Sequence, residues 1–414
     1  MRIIVWGINY APEVTGIGPH NTALCEFLLA SGHQVEMITS FAYYPAWKKL
    51  PADRWKLFRT DLLNEIPVHR CWHYVPGRRN VFSRIIHELT FVKSSFIRCL
   101  FLPRADLMVV VSPPLLLGLA AWLAGLIKRT PFVFHVQDLQ PDAALGLGML
   151  KTSPLSRILY WIESFTYRKA VRVSGISKGM LRAIFKKGVR KEKRVYFPNG
   201  IPLQKSENRG TDSLFRTIHG FYRDDFIVLY SGNIGVKHGL ETVVQAARLL
   251  QNPHIKMILC GAGSNLVPLQ LLVKQYALQN ILFLPLQEAA DYKEMLAAAD
   301  LCLIPQQKGS GQSFFPSKLL NALAFGKPVL TVADDQSELV RVLEEGAFGE
   351  NALPDQPEAV AARLEALSLA PALLLEYGEA GRRYVAQFEQ DKVLADFTRE
   401  LEALLMPFDP KSGS

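Results

Sequence analysis

The chain has 414 residues, 49% of them hydrophobic, 21% charged and 10% aromatic, with a mean hydropathy of +0.11 and a formal net charge of +9. That composition excludes an intrinsically disordered chain, a collagen-like repeat and a disulfide-dense secreted scaffold. The length exceeds what one hydrophobic core serves, since cores stop growing near ~250–300 residues, so two domains are expected. The five cysteines (Cys25, Cys71, Cys99, Cys260 and Cys302) are scattered and form no Cys-x-x-Cys pair. Neither a disulfide framework nor a zinc site is indicated, and a reducing compartment fits.

Ile3-Ile4-Val5-Trp6 is too short an apolar run for a signal-peptide core and predicts a first buried strand, hence a cytoplasmic protein. Further β-rich apolar runs fall at Val35–Thr39, Leu107–Val111, Phe132–Val136 and Val171–Val173, then at Phe226–Tyr230, Met257–Leu259, Ile281–Phe283, Leu301–Ile304 and Val329–Val332. Helix-period segments lie between most of them, including Thr22–Ala30, Ser156–Lys169, Leu240–Leu250 and Tyr292–Ala299. Continuous rather than alternating hydrophobicity marks strands covered on both faces, which belong in parallel sheets. Five such strands on either side of the polar stretch Pro198–Asp212 predict two doubly wound α/β domains of Rossmann type. The uncharged segment Leu107–Ile127 is long enough to span a bilayer, but Ser112-Pro113-Pro114 divides it into a strand and a helix, so no integral span is predicted. Asp409–Ser414 is expected to be a disordered tail.

Charge divides unevenly: residues 1–205 hold 29 Lys and Arg against 12 Asp and Glu, whereas residues 206–414 hold 18 against 26. Such asymmetry speaks of partners rather than fold: nucleic acid, anionic lipid or a phosphorylated substrate. The densest basic stretch, Arg78–Arg104, carries six Lys or Arg, with apolar residues at 82, 85, 86, 89, 92, 96 and 100 keeping a helical period. Two alternatives stand side by side here: a membrane-surface helix, or a core-facing helix with a solvated basic face.

In open parallel sheets, ligands sit at the carboxyl ends of strands, where backbone N–H groups are unpaired. Gly16 and Gly18 occupy the first such loop. In the second half, Ser231-Gly232-Asn233-Ile234-Gly235-Val236-Lys237 follows one strand, Gly261-Ala262-Gly263 another, and Gly309–Lys318 a third. Glycines, small polar residues and the charges of Lys237 and Lys318 suit a diphosphate. The first loop is neither a Gly-x-Gly-x-x-Gly nor a Walker sequence.

Several strings carry a resemblance: Tyr10-Ala11-Pro12-Glu13 with Gly16-Ile17-Gly18; Leu28–Val35; His135–Asp142; Pro198-Asn199-Gly200-Ile201; Tyr230–Gly235; and Pro316–Val329. With them, nearly the whole chain resembles the retaining glycosyltransferases of family 4 with the GT-B fold, and within that family the colanic-acid and O-antigen branch. The resemblance implies an acceptor-binding Rossmann-like domain at 1–204, a nucleotide-sugar-binding one at 205–385, and a C-terminal helix at 386–408 crossing back to the first. It implies that Gly16 and Gly18 abut the donor diphosphate and sugar, and that His135 contacts the donor sugar. Gly232, Asn233, Lys237, Gly261, Gly263 and Lys318 would then line the diphosphate, with the N–H groups of Ser317, Lys318 and Leu319 adding to it. Leu284 and Leu286 would flank the base, and Asn321 the ribose. His135, Lys237 and Lys318 would carry the catalytic work. The family's Glu-x7-Glu pair falls on Ser313 and Asn321, neither acidic, so no catalytic role passes to Ser313.

The expected donor is a UDP- or GDP-sugar, a substrate rather than a cofactor. No cofactor or metal is expected, since no Asp-x-Asp motif stands at a strand end. Expected partners are a lipid-linked or saccharide acceptor and an anionic membrane surface met by the basic N-terminal domain, placing the protein on the inner face of the plasma membrane. Two alternatives from other classes are a sugar-nucleotide epimerase on the same fold and a non-enzymatic basic adaptor. Nucleic acid is not expected, because the basic half lacks an aromatic stacking platform or a helix-turn-helix pattern.

Overall fold

The central strands are buried on both faces, and their side chains divide by the period-2 rule. In a computed structural model, residues 1–14, 16–77, 81–142, 154–203, 213–309 and 318–404 are described. They divide into two compact units, Met1–Gly200 with Asp391–Ser414, and Ile201–Gln390.

The first unit holds an eight-stranded sheet of order β3-β4-β2-β1-β5-β6-β7-β8, built from β1 (Arg2–Trp6), β2 (Gln34–Ser40), β3 (Phe58–Leu63), β4 (Ile66–Cys71), β5 (Leu107–Ser112), β6 (Phe132–Val136), β7 (Arg172–Gly175) and β8 (Arg194–Tyr196). Every pairing is parallel except β3 with β4. Alternate residues supply two separate cores: Ile4, Trp6, Met108, Val110 and Phe134 go to one face, and Ile3, Val5, Leu107, Val109 and Val133 to the other. The second unit repeats this with six parallel strands ordered β11-β10-β9-β12-β13-β14: β9 (Phe226–Ser231), β10 (Ile255–Cys260), β11 (Ile281–Leu284), β12 (Leu301–Pro305), β13 (Val329–Val332) and β14 (Gly349–Ala352). Ile227 and Leu229 face one core there, Val228 and Tyr230 the other.

The expectation of five strands in each half needs correcting: among the described residues the sheets have eight and six. The strands that apolar runs did not reveal lie toward the sheet edges or lack apolar residues. Phe58–Leu63 is an edge strand with alternating exposure, Arg194–Tyr196 has three residues, and Gly349–Ala352 reads Gly-Glu-Asn-Ala. The helix Gln390–Ala403 groups with the first unit, burying Val393, Leu394, Phe397 and Leu401 in the core of Ile3 and Val5, with Phe397 stacked on Phe197 at 3.8 Å. The proposed tail lies outside the described residues.

The basic stretch forms the helix Val81–Phe101, but its apolar stripe is divided. Val92, Phe96 and Leu100 pack on the core, whereas Phe82, Ile85 and Leu89 are exposed together with Ile97 and Phe101. The inward row is Ser83, His87, Phe91, Ser95 and Cys99, one residue per turn. Polar members fit there because they find backbone partners: His87 Nδ1–H donates to the Tyr74 carbonyl (2.6 Å) and Ser95 Oγ to that of Val92 (3.3 Å). No helix among the described residues is long and apolar enough to cross a membrane, and Leu107–Ile127 resolves into β5 and the helix Leu117–Lys128.

Candidate functional site

In the second unit, the loops after β9 and β10 run side by side, tied by Gly232 N–H to the Cys260 carbonyl (2.9 Å), Ile234 N–H to Ala262 (2.9 Å) and Asn265 N–H to Ile234 (3.0 Å). The approach is so close that a Cβ on Gly261 would stand 1.8 Å from the Gly232 oxygen and one on Gly263 2.1 Å from that of Ile234; Gly232 and Gly261 also hold φ of +143° and +144°. Any side chain would force the loops apart.

Over this floor stands Lys318, at the start of the helix Lys318–Ala324. Its Nζ lies 3.8 Å from the centre of the Tyr230 ring and about as close to Gly232, where a Cβ would meet it at 3.5 Å. The Tyr230 hydroxyl is turned away, donating to the Asn233 carbonyl at 2.6 Å. The Lys318 ammonium is buried and has no hydrogen-bond partner among the described residues. Burial, and then the charge of Lys237, push its pKa well below the ordinary 10.5. His238 is driven down by burial and by the charges of Lys318 and Lys237. A buried ammonium without an acceptor costs several kcal/mol unless it loses its proton or an anion arrives, and none of the described residues supplies the negative group.

The remaining expected residues of this unit spread around that centre. Asn233 and Gly235 continue the β9 loop, with the Asn233 side-chain amide 3.5 Å from where a Gly235 Cβ would sit. The Leu284 carbonyl accepts from Gly261 N–H (2.9 Å), while Leu286 is 47% exposed. Leu319 is fully buried in the core, so only its backbone is available to a ligand. Asn321 hydrogen-bonds the hydroxyl of Tyr292, which also meets Ser231. Ser313 and Ser317 lie outside the described residues. Tyr230 as the seat of Lys318, and Tyr292 as the partner of Asn321, were not foreseen; an aromatic at a strand end carries no sequence signal of that role.

In the first unit, His135 is the penultimate residue of β6, at 2% exposure, with both ring nitrogens engaged. Nδ1 pairs with Ser174 Oγ (2.9 Å) and Nε2 with the Gln137 amide (2.9 Å), which exchanges two hydrogen bonds with Asn199 (2.9 and 3.0 Å). With the amide nitrogen of Gln137 donating to Nε2, the imidazole is neutral and carries its proton on Nδ1. Burial and then His20 lower it to about 3. The donor-sugar contact expected of this ring finds no nitrogen left over. Gly16 adopts φ +71° against Tyr44, and Gly18 begins the helix Gly18–Ala30, where a Cβ would meet the Glu13 carbonyl at 2.9 Å. Glu13 itself is buried and organises this region: its Oε1 accepts from the N–H groups of Tyr43 (2.9 Å) and Tyr44 (3.0 Å), its Oε2 from Asn9 (2.7 Å). A lone loop glutamate gave no hint of this role. Among the described residues no group of three or more His, Cys, Asp or Glu could hold a metal ion.

Comparison with known proteins places this geometry. Residues 15–200 match the signature described as "Glycosyl transferase 4-like domain" and residues 212–384 that described as "Glycosyl transferases group 1". The chain is 31% identical over 97% of its length, and 100% of the relative's, to WcaI of Escherichia coli K12, named as a colanic acid biosynthesis glycosyl transferase. Among solved structures, sucrose-phosphate synthase from Thermosynechococcus elongatus superposes with a TM-score of 0.78 at 18% identity, covering 97% of this chain and 98% of that one. Anabaena HepE in complex with UDP-glucose superposes at 0.70 and 16% identity, covering 97% and 100%. These likenesses set aside the epimerase and the non-enzymatic adaptor. The chain belongs to the family 4 glycosyltransferases of GT-B fold.

Proposed function

We propose that the protein transfers a hexose-type sugar from a UDP- or GDP-sugar, with retention, to a lipid-linked saccharide in the biosynthesis of a cell-surface polysaccharide. The observation that carries this reading is the buried Lys318 ammonium on the face of Tyr230, without a hydrogen-bond partner among the described residues. A diphosphate supplies the missing negative charge. As the glycosidic bond to the β-phosphate breaks, charge grows on the leaving oxygen, and a fixed cation in a dry site stabilises that state more than the ground state. Lys237 adds charge, and the glycine-lined loops let the diphosphate reach backbone amides. The acceptor hydroxyl attacks the same face of the oxocarbenium-like sugar and gives its proton to the departing β-phosphate oxygen. His135 serves as a positioning residue, its Nε2 holding the Gln137 amide. No cofactor or metal is part of this scheme.

The polysaccharide assignment is supported by the name of the Escherichia coli relative, and the nucleotide by HepE, solved with UDP-glucose. An anionic membrane partner at the inner face of the plasma membrane is supported by the exposed Phe82, Ile85, Leu89, Ile97 and Phe101 on a helix that also exposes Arg84 and Lys93. Replacing Lys318 or Lys237 by Ala is expected to lower turnover about tenfold or more, near ~2 kcal/mol of charge-assisted contact, in a protein that still folds. Normal turnover in both variants refutes the site. Sedimentation with anionic vesicles at rising salt tests the membrane partner: binding released by salt supports it.

A further inference from the structure

One cluster of the first unit is not used by the reaction as described. Tyr43, Tyr44 and Trp47, on the loop after β2, form edge-to-face contacts: Tyr43 with Trp47 at 5.4 Å between ring centres and Tyr44 with Trp47 at 6.4 Å. His87 closes the group, 4.8 Å from Tyr43 and 5.4 Å from Trp47. Tyr43 is buried, and Tyr44 and Trp47 pack against the same core with only part of each side chain at the surface.

Trp47 is also held at φ +53°, in the left-handed region that a bulky side chain avoids. The surroundings enforce it. Lys48 N–H closes the turn onto the Tyr43 carbonyl (3.1 Å), and buried Glu13 anchors the backbone of Tyr43 and Tyr44. Strain held this way at a ring left partly open to solvent points to a ligand.

The ring group also stands beside the first glycine turn, since a Cβ on Gly16 would lie 3.4 Å from the Tyr44 ring. A carboxylate is close in sequence and space. Glu88 follows His87, its charge acts on Tyr43, and its two oxygens accept from one Gln140 amide at 3.1 and 3.3 Å, leaving lone pairs for other donors. Burial raises the pKa of this carboxyl. A sugar ring matches such a surface, its apolar C–H face meeting the aromatic rings.

We infer that Trp47 and Tyr44 are the stacking platform for a pyranose ring of the saccharide acceptor, with Glu13 as the positioning residue that fixes the platform. This rests on the transferase reading above, but its test is separate from it. Saturation-transfer NMR is recorded on the full chain with the methyl glycosides of glucose, galactose, fucose and N-acetylglucosamine, and separately with UDP. At least one glycoside is expected to give signals concentrated on one face of its ring. Those signals should fall about tenfold in Trp47→Ala and persist in Trp47→Phe, while the UDP signals stay unchanged. Should Trp47→Ala not fold, Trp47→Leu, which keeps apolar bulk without the aromatic face, is read in the same way. The platform is overturned if no glycoside gives a signal, if the signals survive the loss of the ring, or if the UDP signals are the ones that fall. Failure of UDP to bind the wild type would instead count against the donor site and leave the glycoside comparison intact.

Discussion

His135 in the first unit and Lys318 in the second are both buried side chains near the carboxyl ends of central strands, and burial lowers the pKa of both. They differ in what surrounds them. Ser174 and the Gln137–Asn199 amide pair satisfy both imidazole nitrogens, so the group is complete as it stands. Lys318 has a Tyr230 ring and a glycine floor, and no acceptor among the described residues. A buried polar group with all partners in place rigidifies its unit; one without them marks where a ligand completes the structure.

The largest way to break this contrast is to remove the floor. Gly261→Ala drives a methyl group into the Gly232 carbonyl at a φ unsuited to alanine, and is expected to cost about 3 kcal/mol or more by urea unfolding. Alanine at Gly77, which would meet nothing within 4 Å, is the control. Next, Ser174→Ala makes an orphan in the first unit by leaving His135 Nδ1–H without its partner, a loss of about 2 kcal/mol. Lys318→Met does the opposite. It removes an orphan, so the ligand-free protein should gain about 1 kcal/mol while losing donor affinity.

The sign of the pH dependence follows from the same residue. Because its folded pKa lies well below 10.5, the unfolded chain binds more protons over that window, and stability rises with pH from the lowered folded value toward 10.5. Wild type should therefore gain on Lys318→Met as pH rises toward the unfolded value of 10.5, as read by urea midpoints. The smallest effect is reserved for Leu286→Ser, which replaces a half-exposed side chain and should shift stability by less than about 0.5 kcal/mol.

Much of this was legible in the sequence. Uninterrupted apolar runs mark β1, β5, β6, β9 and β12, because a strand covered on both faces needs no polar residue. Gly232, Gly261 and Gly263 stand out as glycines at strand ends, and Lys237 and Lys318 as the cations near them. The reason for the glycines, two backbones packed against each other, is a tertiary fact that no local window contains. Periodicity misread part of the helix Val81–Phe101: it counts Ser83, His87 and Ser95 as polar, yet these turn inward and Phe82, Ile85 and Leu89 turn out. Glu13 and Tyr230 act through partners that are close in space but far along the sequence: a loop backbone 30 residues on for Glu13, an ammonium 88 residues on for Tyr230. Spacing that long escapes any motif.

The most direct test is a calorimetric titration of UDP into the wild type and into Lys318→Met, in two buffers of different ionisation enthalpy. Wild type is expected to bind UDP and to take up a proton as Lys318 regains its charge, and the variant to bind about tenfold more weakly or worse with that uptake gone. Equal affinity in the two proteins, with the same proton balance, would contradict the assignment of this lysine to the diphosphate.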